Sequence, residues 1–220
     1  MKKNLSLSLL ALALTLPALQ GCLPAVVATG AAVGVMSIHD RRTTGTQTDD
    51  ETTEWRAAGR VPEHIKAASR INFTSYNRRL LISGEVPNAE ARATVVAEAR
   101  KLEGVREVYD ELTVGAKATL ANRSNDSFID SKVKARLVDS NQVSANHIKV
   151  VTENGATYLM GLVNEREAKV AIAVARTTAG VRKVINLLEV LSDEEIRRLD
   201  EQALGARKAP PNSQAPVETR

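Results

Sequence analysis

The chain has 220 residues, 43% hydrophobic and 25% charged, which suits a folded body of one ordinary domain or two small ones. Its 30 basic residues against 26 acidic ones give +4, too balanced for charge alone to mark a nucleic-acid binder. One cysteine excludes an internal disulfide and a cysteine-based zinc cluster, and 3% aromatics leave the core to Val, Leu, Ile and Ala.

Lys2 and Lys3 form a basic n-region, and Leu5 to Leu16 an apolar h-region. A bilayer span needs roughly 20 apolar residues, so this stretch is read as a removable leader and not a membrane helix. Without those two lysines the count is 28 basic to 26 acidic, or +2. The leader ends in Leu19-Gln20-Gly21-Cys22, which resembles the lipobox of bacterial lipoproteins. That resemblance implies cleavage after residue 21, a diacylglycerol on the Cys22 thiol and a third acyl chain on its new amino group. Leu23, where Asp would hold the protein back, implies export to the outer membrane. Two acyl chains already hold a protein stably, so any further membrane contact would serve position or specificity.

Ala25 to Ile38 is small, apolar and uncharged; it suits a segment lying at the lipid interface and equally a plain tether. Arg41 to Thr53 is polar and threonine-rich and reads as linker. As a coil, the roughly 28 residues from Cys22 to Asp50 would span about 30 Å.

The rest of the chain repeats itself. Leu81-Ile82-Ser83-Gly84-Glu85-Val86 parallels Tyr158-Leu159-Met160-Gly161-Leu162-Val163, and Gly104-Val105-Arg106-Glu107-Val108 parallels Gly180-Val181-Arg182-Lys183-Val184. A shared order of strand, glycine, helix, glycine-valine and strand argues for two copies of one unit. In the first copy Arg70 to Asn77 and Arg79 to Val86 form an expected hairpin. In the second, His147 to Glu153 and Ala156 to Val163 flank Asn154-Gly155, which supplies the positive φ of a type I′ turn. Asn88 suits the N-cap of a helix over Ala89 to Leu102, and Glu165 to Thr178 is its counterpart. Final strands follow at Val105 to Val114 and Val181 to Leu191. Before the second hairpin, Ser127 to Val138 reads as a helix with Asp126 at its N-cap. Before the first, Pro62 should interrupt any helix within Glu51 to Ser69, leaving Trp55 ahead of the break.

The pattern Gly-x-Val, helix, Gly-Val-x-x-Val resembles that of BON domains. Here it reads Gly84-Glu85-Val86 with Gly104-Val105 to Leu112, and Gly161-Leu162-Val163 with Gly180-Val181 to Leu188. Two such units behind a lipobox resemble the dual-BON-domain outer-membrane lipoproteins. The fold expected is α+β: two tandem BON domains, each helix-strand-strand-helix-strand with a three-stranded mixed sheet packed against two helices. The expected division is 1–21 leader, 22–48 acylated tether, 49–115 first domain, 116–123 linker, 124–191 second domain, 192–204 helix and 205–220 disordered tail. The resemblance implies a non-enzymatic protein on the periplasmic face of the outer membrane. It would bind anionic phospholipid, such as phosphatidylglycerol or cardiolipin, through the second domain, and support envelope integrity at division sites.

On Ser127 to Val138, Ile129, Val133 and Leu137 form a core stripe at i, i+4 and i+8. Phe128, Lys132 and Arg136 repeat the spacing beside it, with Lys134 flanking. A ring among cations suits a membrane surface, the ring entering the interface and the cations facing headgroups. The alternative is that Phe128 completes the core and the cations are a solvated face. BON lipoproteins carry Trp where this chain has Phe128. Charge leans the same way: 12 acids and 10 bases over 49–115, against 7 acids and 9 bases over 124–191.

Catalysis finds no footing. His39, His64 and His147 lack metal-ligand spacing, and no nucleophile elbow or H-E-x-x-H occurs. No catalytic or metal-binding residue is expected, and no cofactor beyond the acyl chains on Cys22. Ser192 and Glu195 make a capping box for a charged helix from Asp193. The second reading of the whole is a scaffold for outer-membrane assembly proteins, using exposed sheets or the tail. Substituting Phe128 and Lys132 separates the two: it abolishes localisation under the lipid reading and spares partner capture under the other.

Overall fold

The computed structural model describes residues 40–208. Cys22, the expected leader, the apolar run Ala25 to Ile38 and the tail past Lys208 lie outside the described residues.

Helix α1 (Thr44–Arg60) opens the first unit, its N-cap Thr43 accepting a hydrogen bond from the Thr46 amide. This corrects the expectation of a linker over Arg41 to Thr53. Threonine is a poor helix former, but Thr48, Thr52 and Thr53 donate their hydroxyls back to carbonyls four residues earlier. Asp50 and Ala57, buried on the inner side, dock the helix. Pro62 does break the run, and α2 (Glu63–Ala68) follows it. Next come β1 (Arg70–Tyr76), β2 (Arg79–Val86), α3 (Ala89–Arg100) and β3 (Glu107–Val114). The second unit is α4 (Leu120–Ser140), a 3-10 turn at Ala145–His147, β4 (Ile148–Glu153), β5 (Ala156–Val163), α5 (Glu165–Arg176) and β6 (Lys183–Val190). Helix α6 (Asp193–Lys208) is the last of the described elements, entered through the expected Ser192–Glu195 capping box.

Each unit holds a three-stranded sheet, in the orders β1-β2-β3 and β4-β5-β6. The hairpin pair is antiparallel and the pair reached through the helix is parallel, so both sheets are mixed. Gly84 faces Ile71 and Gly161 faces Ile148 in register. A Cβ on Gly84 would run into the Arg70 carbonyl oxygen, and one on Gly161 into that of His147. The repeated glycine is therefore required by close approach of the neighbouring strand.

Alternation along the central strands explains why they are buried on both faces. Leu80, Ile82 and Val86 turn to the helices of the first unit, and Leu159 and Val163 to those of the second. The residues between them turn the other way: Leu81, Tyr158, Met160 and Leu162 join Tyr76 and Leu187 in a third core. The two sheets thus pack on each other through their helix-free faces. A polar rim surrounds this core. Arg70 meets Glu153 at 2.5 Å, Asn154 donates to Glu85 at 2.7 Å, Lys149 reaches Glu54 at 2.8 Å, and Asn77 donates to Glu189 at 3.1 Å.

One device occurs in both copies. Asp50, 2% exposed on α1, accepts from the amides of Asn77 (2.7 Å) and Arg78 (2.9 Å) in the β1–β2 turn. Asp126, 5% exposed on α4, accepts from Asn154 and Gly155 in the β4–β5 turn, both at 2.9 Å. Each carboxylate satisfies turn amides that the hairpin leaves without strand partners, and clasps the first helix to its own sheet. Asp126 is accordingly not the N-cap expected for it. Helix α4 starts about two turns earlier, capped by Thr119 through Asn122, and takes up the end of the expected linker.

Candidate functional site

Helix α4 is held from below. Ile129, Val133 and Leu137 are essentially fully buried in the second core, and Asp126 extends the same stripe. That seating turns Phe128 outward, where it is 62% exposed and no part of the core.

The three expected cations have more specific surroundings than an open basic face. Lys132 Nζ sits 4.7 Å from the Phe128 ring centroid, a cation–π contact, and donates to the Ala179 carbonyl at 2.5 Å. Arg136 reaches the Val174 carbonyl at 3.1 Å and the hydroxyls of Thr177 and Thr178 at 3.0 and 2.8 Å. Both therefore lie against the C-terminal end of α5, whose carbonyls carry partial negative charge. Lys134 pairs with Asp130 one turn back at 2.7 Å. Burial pushes the Asp130 carboxyl above its ordinary range, with Lys134 opposing. The ring, Lys132 and Arg136 thus form one continuous surface, and Lys134 is partly neutralised beside it.

Sequence reasoning missed the neighbouring helix. Ile172 and Ala173 of α5, with Thr177 at its C-cap, floor a shallow apolar groove of about 510 Å³ between Lys169 and Arg176. It adjoins Arg136 through Thr177. The signal was present in the alternation of Lys169 and Arg176 with Ile172 and Ala173, but those residues read equally as the outer face of any amphipathic helix.

The N-terminal segment is also tied to this unit. Arg41, 5% exposed, donates to the Leu162 carbonyl at 2.8 Å, to both oxygens of Glu167 at 2.7 and 3.0 Å, and to Asp200 of α6 at 2.9 Å. Burial pushes the Glu167 carboxyl up, but Arg41 and the Asn164 amide outweigh it and hold the group below the usual carboxylate range. Among the described residues no cluster of three or more His, Cys, Asp or Glu has the geometry of a metal site. No described helix is long and apolar enough to cross a membrane.

The family model described as "BON domain" matches residues 49–116 and again 125–192. The chain belongs to the BON-domain family. It is 43% identical over 175 residues to outer membrane lipoprotein DolP of Haemophilus influenzae, covering 79% of this chain and 90% of that one. It is 37% identical to a 21 kDa hemolysin of Actinobacillus pleuropneumoniae, over 68% and 78% of the two chains. With osmotically-inducible protein Y of Escherichia coli the identity is 28%, over 58% and 64%. The two α+β repeats are therefore tandem BON domains of a DolP-like chain. The Phe128 surface belongs to the second BON domain, and Trp55, 79% exposed, to the first.

Proposed function

We propose that this protein is an outer-membrane lipoprotein, anchored through Cys22, that recognises anionic phospholipid with helix α4 of its second BON domain. The observation that carries the reading is the outward Phe128 ring with Lys132 against it, on a helix whose opposite side is locked into a core. The DolP relative is named an outer membrane lipoprotein, which supports the location, and the lipobox around Cys22 supplies the means. Binding there supports envelope integrity at division sites, facing the periplasm.

The energies suit a tethered reader. Lys132 and Arg136 near an anionic surface contribute about 1 kcal/mol each, and a half-inserted Phe128 adds ~1.5 kcal/mol. The sum corresponds to an affinity weaker than about 1 mM, so local concentration from the anchor is what makes the contact effective. Eighteen residues from Cys22 to Asp40 reach at most about 60 Å, enough to bring α4 back to the same leaflet.

The scaffold alternative draws on less surface than its sequence argument assumed, because the helix-free faces of both sheets are buried against each other. Replacing Phe128 and Lys132 with Ala tests the proposal. Loss of flotation with phosphatidylglycerol vesicles and loss of localisation support it; unchanged flotation and localisation contradict it.

A further inference from the structure

A second cleft lies where the first BON domain meets the linker and the N-terminal turn of α4. It measures about 450 Å³ and is lined by Ala58, Val61, Ile71 and Phe73 as floor, with Lys66, Arg70, Lys117 and Arg123 around it. Its lining contains four cations and no acid. Ser69 also lines it, and the Ser69 hydroxyl is buried without a hydrogen-bond partner.

The cations differ in how far the protein uses them. Arg70 is paired with Glu153 at 2.5 Å and Lys66 loosely with Glu63 at 3.8 Å. Lys117 donates only to the Ala67 carbonyl, at 2.6 Å, which leaves its charge uncompensated. The Arg123 side chain makes no ion pair among the described residues. Two positive charges therefore stand free at the mouth of an apolar trough. The adjoining cleft shares Arg70 and Arg123 but is lined by Asp126, Asp130 and Glu153, which disfavour an anion. Of the two clefts, only the one floored by Val61, Ile71 and Phe73 has cations without an acid in its lining.

We propose that this cleft binds a single anionic phospholipid molecule, its phosphate held by Lys117 and Arg123 and one acyl chain laid along Val61, Ile71 and Phe73. Apolar floor and cationic rim are both needed for that choice: a free phosphate has no use for the floor, and a neutral lipid none for the rim. The site is separate from the Phe128 surface and uses other residues, so it stands or falls independently of the function proposed above.

The test is an NMR titration of the full chain with dihexanoyl phosphatidylglycerol at concentrations where it is monomeric. Dihexanoyl phosphatidylcholine and glycerol 3-phosphate serve as controls. Amide shifts at Ser69, Ile71, Phe73 and Arg123 are expected with the anionic lipid alone, and they persist in the Phe128→Ala, Lys132→Ala variant. Lys117→Glu with Arg123→Glu weakens that binding by at least about tenfold. Arg123→Glu alone, at an exposed side chain with no partner to lose, keeps the test decisive if the double variant folds poorly. Equal shifts with the choline lipid or with glycerol phosphate overturn the proposal, as does an unaltered response in the charge variants. Shifts at the same amides on deleting residues 209–220, without lipid, would make the tail the occupant and also overturn it.

Discussion

Replacing Asp126 with Ala removes two charge-assisted hydrogen bonds, from the amides of Asn154 and Gly155, both 2.9 Å long. Bonds of that kind contribute about 1.5–3 kcal/mol each. Gly155 is buried whereas Asn154 is half-buried and admits water, so the lower end applies, about 3 kcal/mol or roughly a hundredfold in the folding constant. Asp126→Asn keeps one acceptor oxygen and places an NH₂ against the other amide, which costs about half as much. Asp50→Ala goes further than either, because Asp50 also accepts from the Ser75 hydroxyl at 2.7 Å and Arg42 at 2.8 Å. Urea unfolding followed by far-UV circular dichroism gives the order wild type, Asp126→Asn, Asp126→Ala, Asp50→Ala from most to least stable. A loss under about 1 kcal/mol for Asp126→Ala, or equal losses for its Ala and Asn forms, refutes the clasp as the element that fastens α4 to its hairpin.

The Glu167 carboxyl is held below its unfolded value by Arg41, so that stabilisation is complete above the unfolded value and is lost as pH falls through the folded one. Stability measured from pH 6 down to 3 should fall more steeply in the wild type than in Arg41→Ala, and parallel profiles would contradict the clamp. Asp130 behaves oppositely, since its folded value is raised and its ionised form at neutral pH works against folding. Asp130→Asn should therefore fold at pH 7 at least as stably as the wild type. It also releases Lys134, and binding to phosphatidylglycerol vesicles should tighten by up to about fivefold; weaker sedimentation with those vesicles would count against the charge assignment of this face.

What the sequence revealed and what it hid divide by range. The strands, the Asn154-Gly155 turn, the Asn88 cap and the break at Pro62 all follow from residues within a few positions of one another, the repeat from matching such local patterns along the chain, and the structure has them. Arg41 was invisible in this sense. Its partners Leu162, Glu167 and Asp200 lie more than a hundred residues away, and its own neighbourhood of Thr and Gly has no apolar period to suggest a helix. Asp126 misled for a related reason: an Asp ahead of an apolar run looks like a cap, and only the returning hairpin shows that its amide donors are those of Asn154 and Gly155. The burial of both sheet faces was legible in part, since Leu80 to Ile82 and Tyr158 to Met160 are unbroken apolar runs of the kind found in strands covered on both sides. Nothing local said that the second cover was the other repeat. For the candidate site, the i, i+4 spacing put Phe128 beside Lys132 and Arg136 correctly. It could not show that Arg136 reaches across to α5, or that Lys134 has Asp130 as a counter-charge.

The most direct test of the lipid reading uses residues 40–220, without acyl chains, titrated with phosphatidylglycerol micelles and separately with zwitterionic ones while amide shifts are followed by NMR. Shifts on α4 around Phe128 and along the adjoining groove of α5, seen only with the anionic micelles, are the predicted result. No shifts in that region, or equal shifts with both kinds of micelle, would contradict the account and leave the paired BON domains as a protein-binding body.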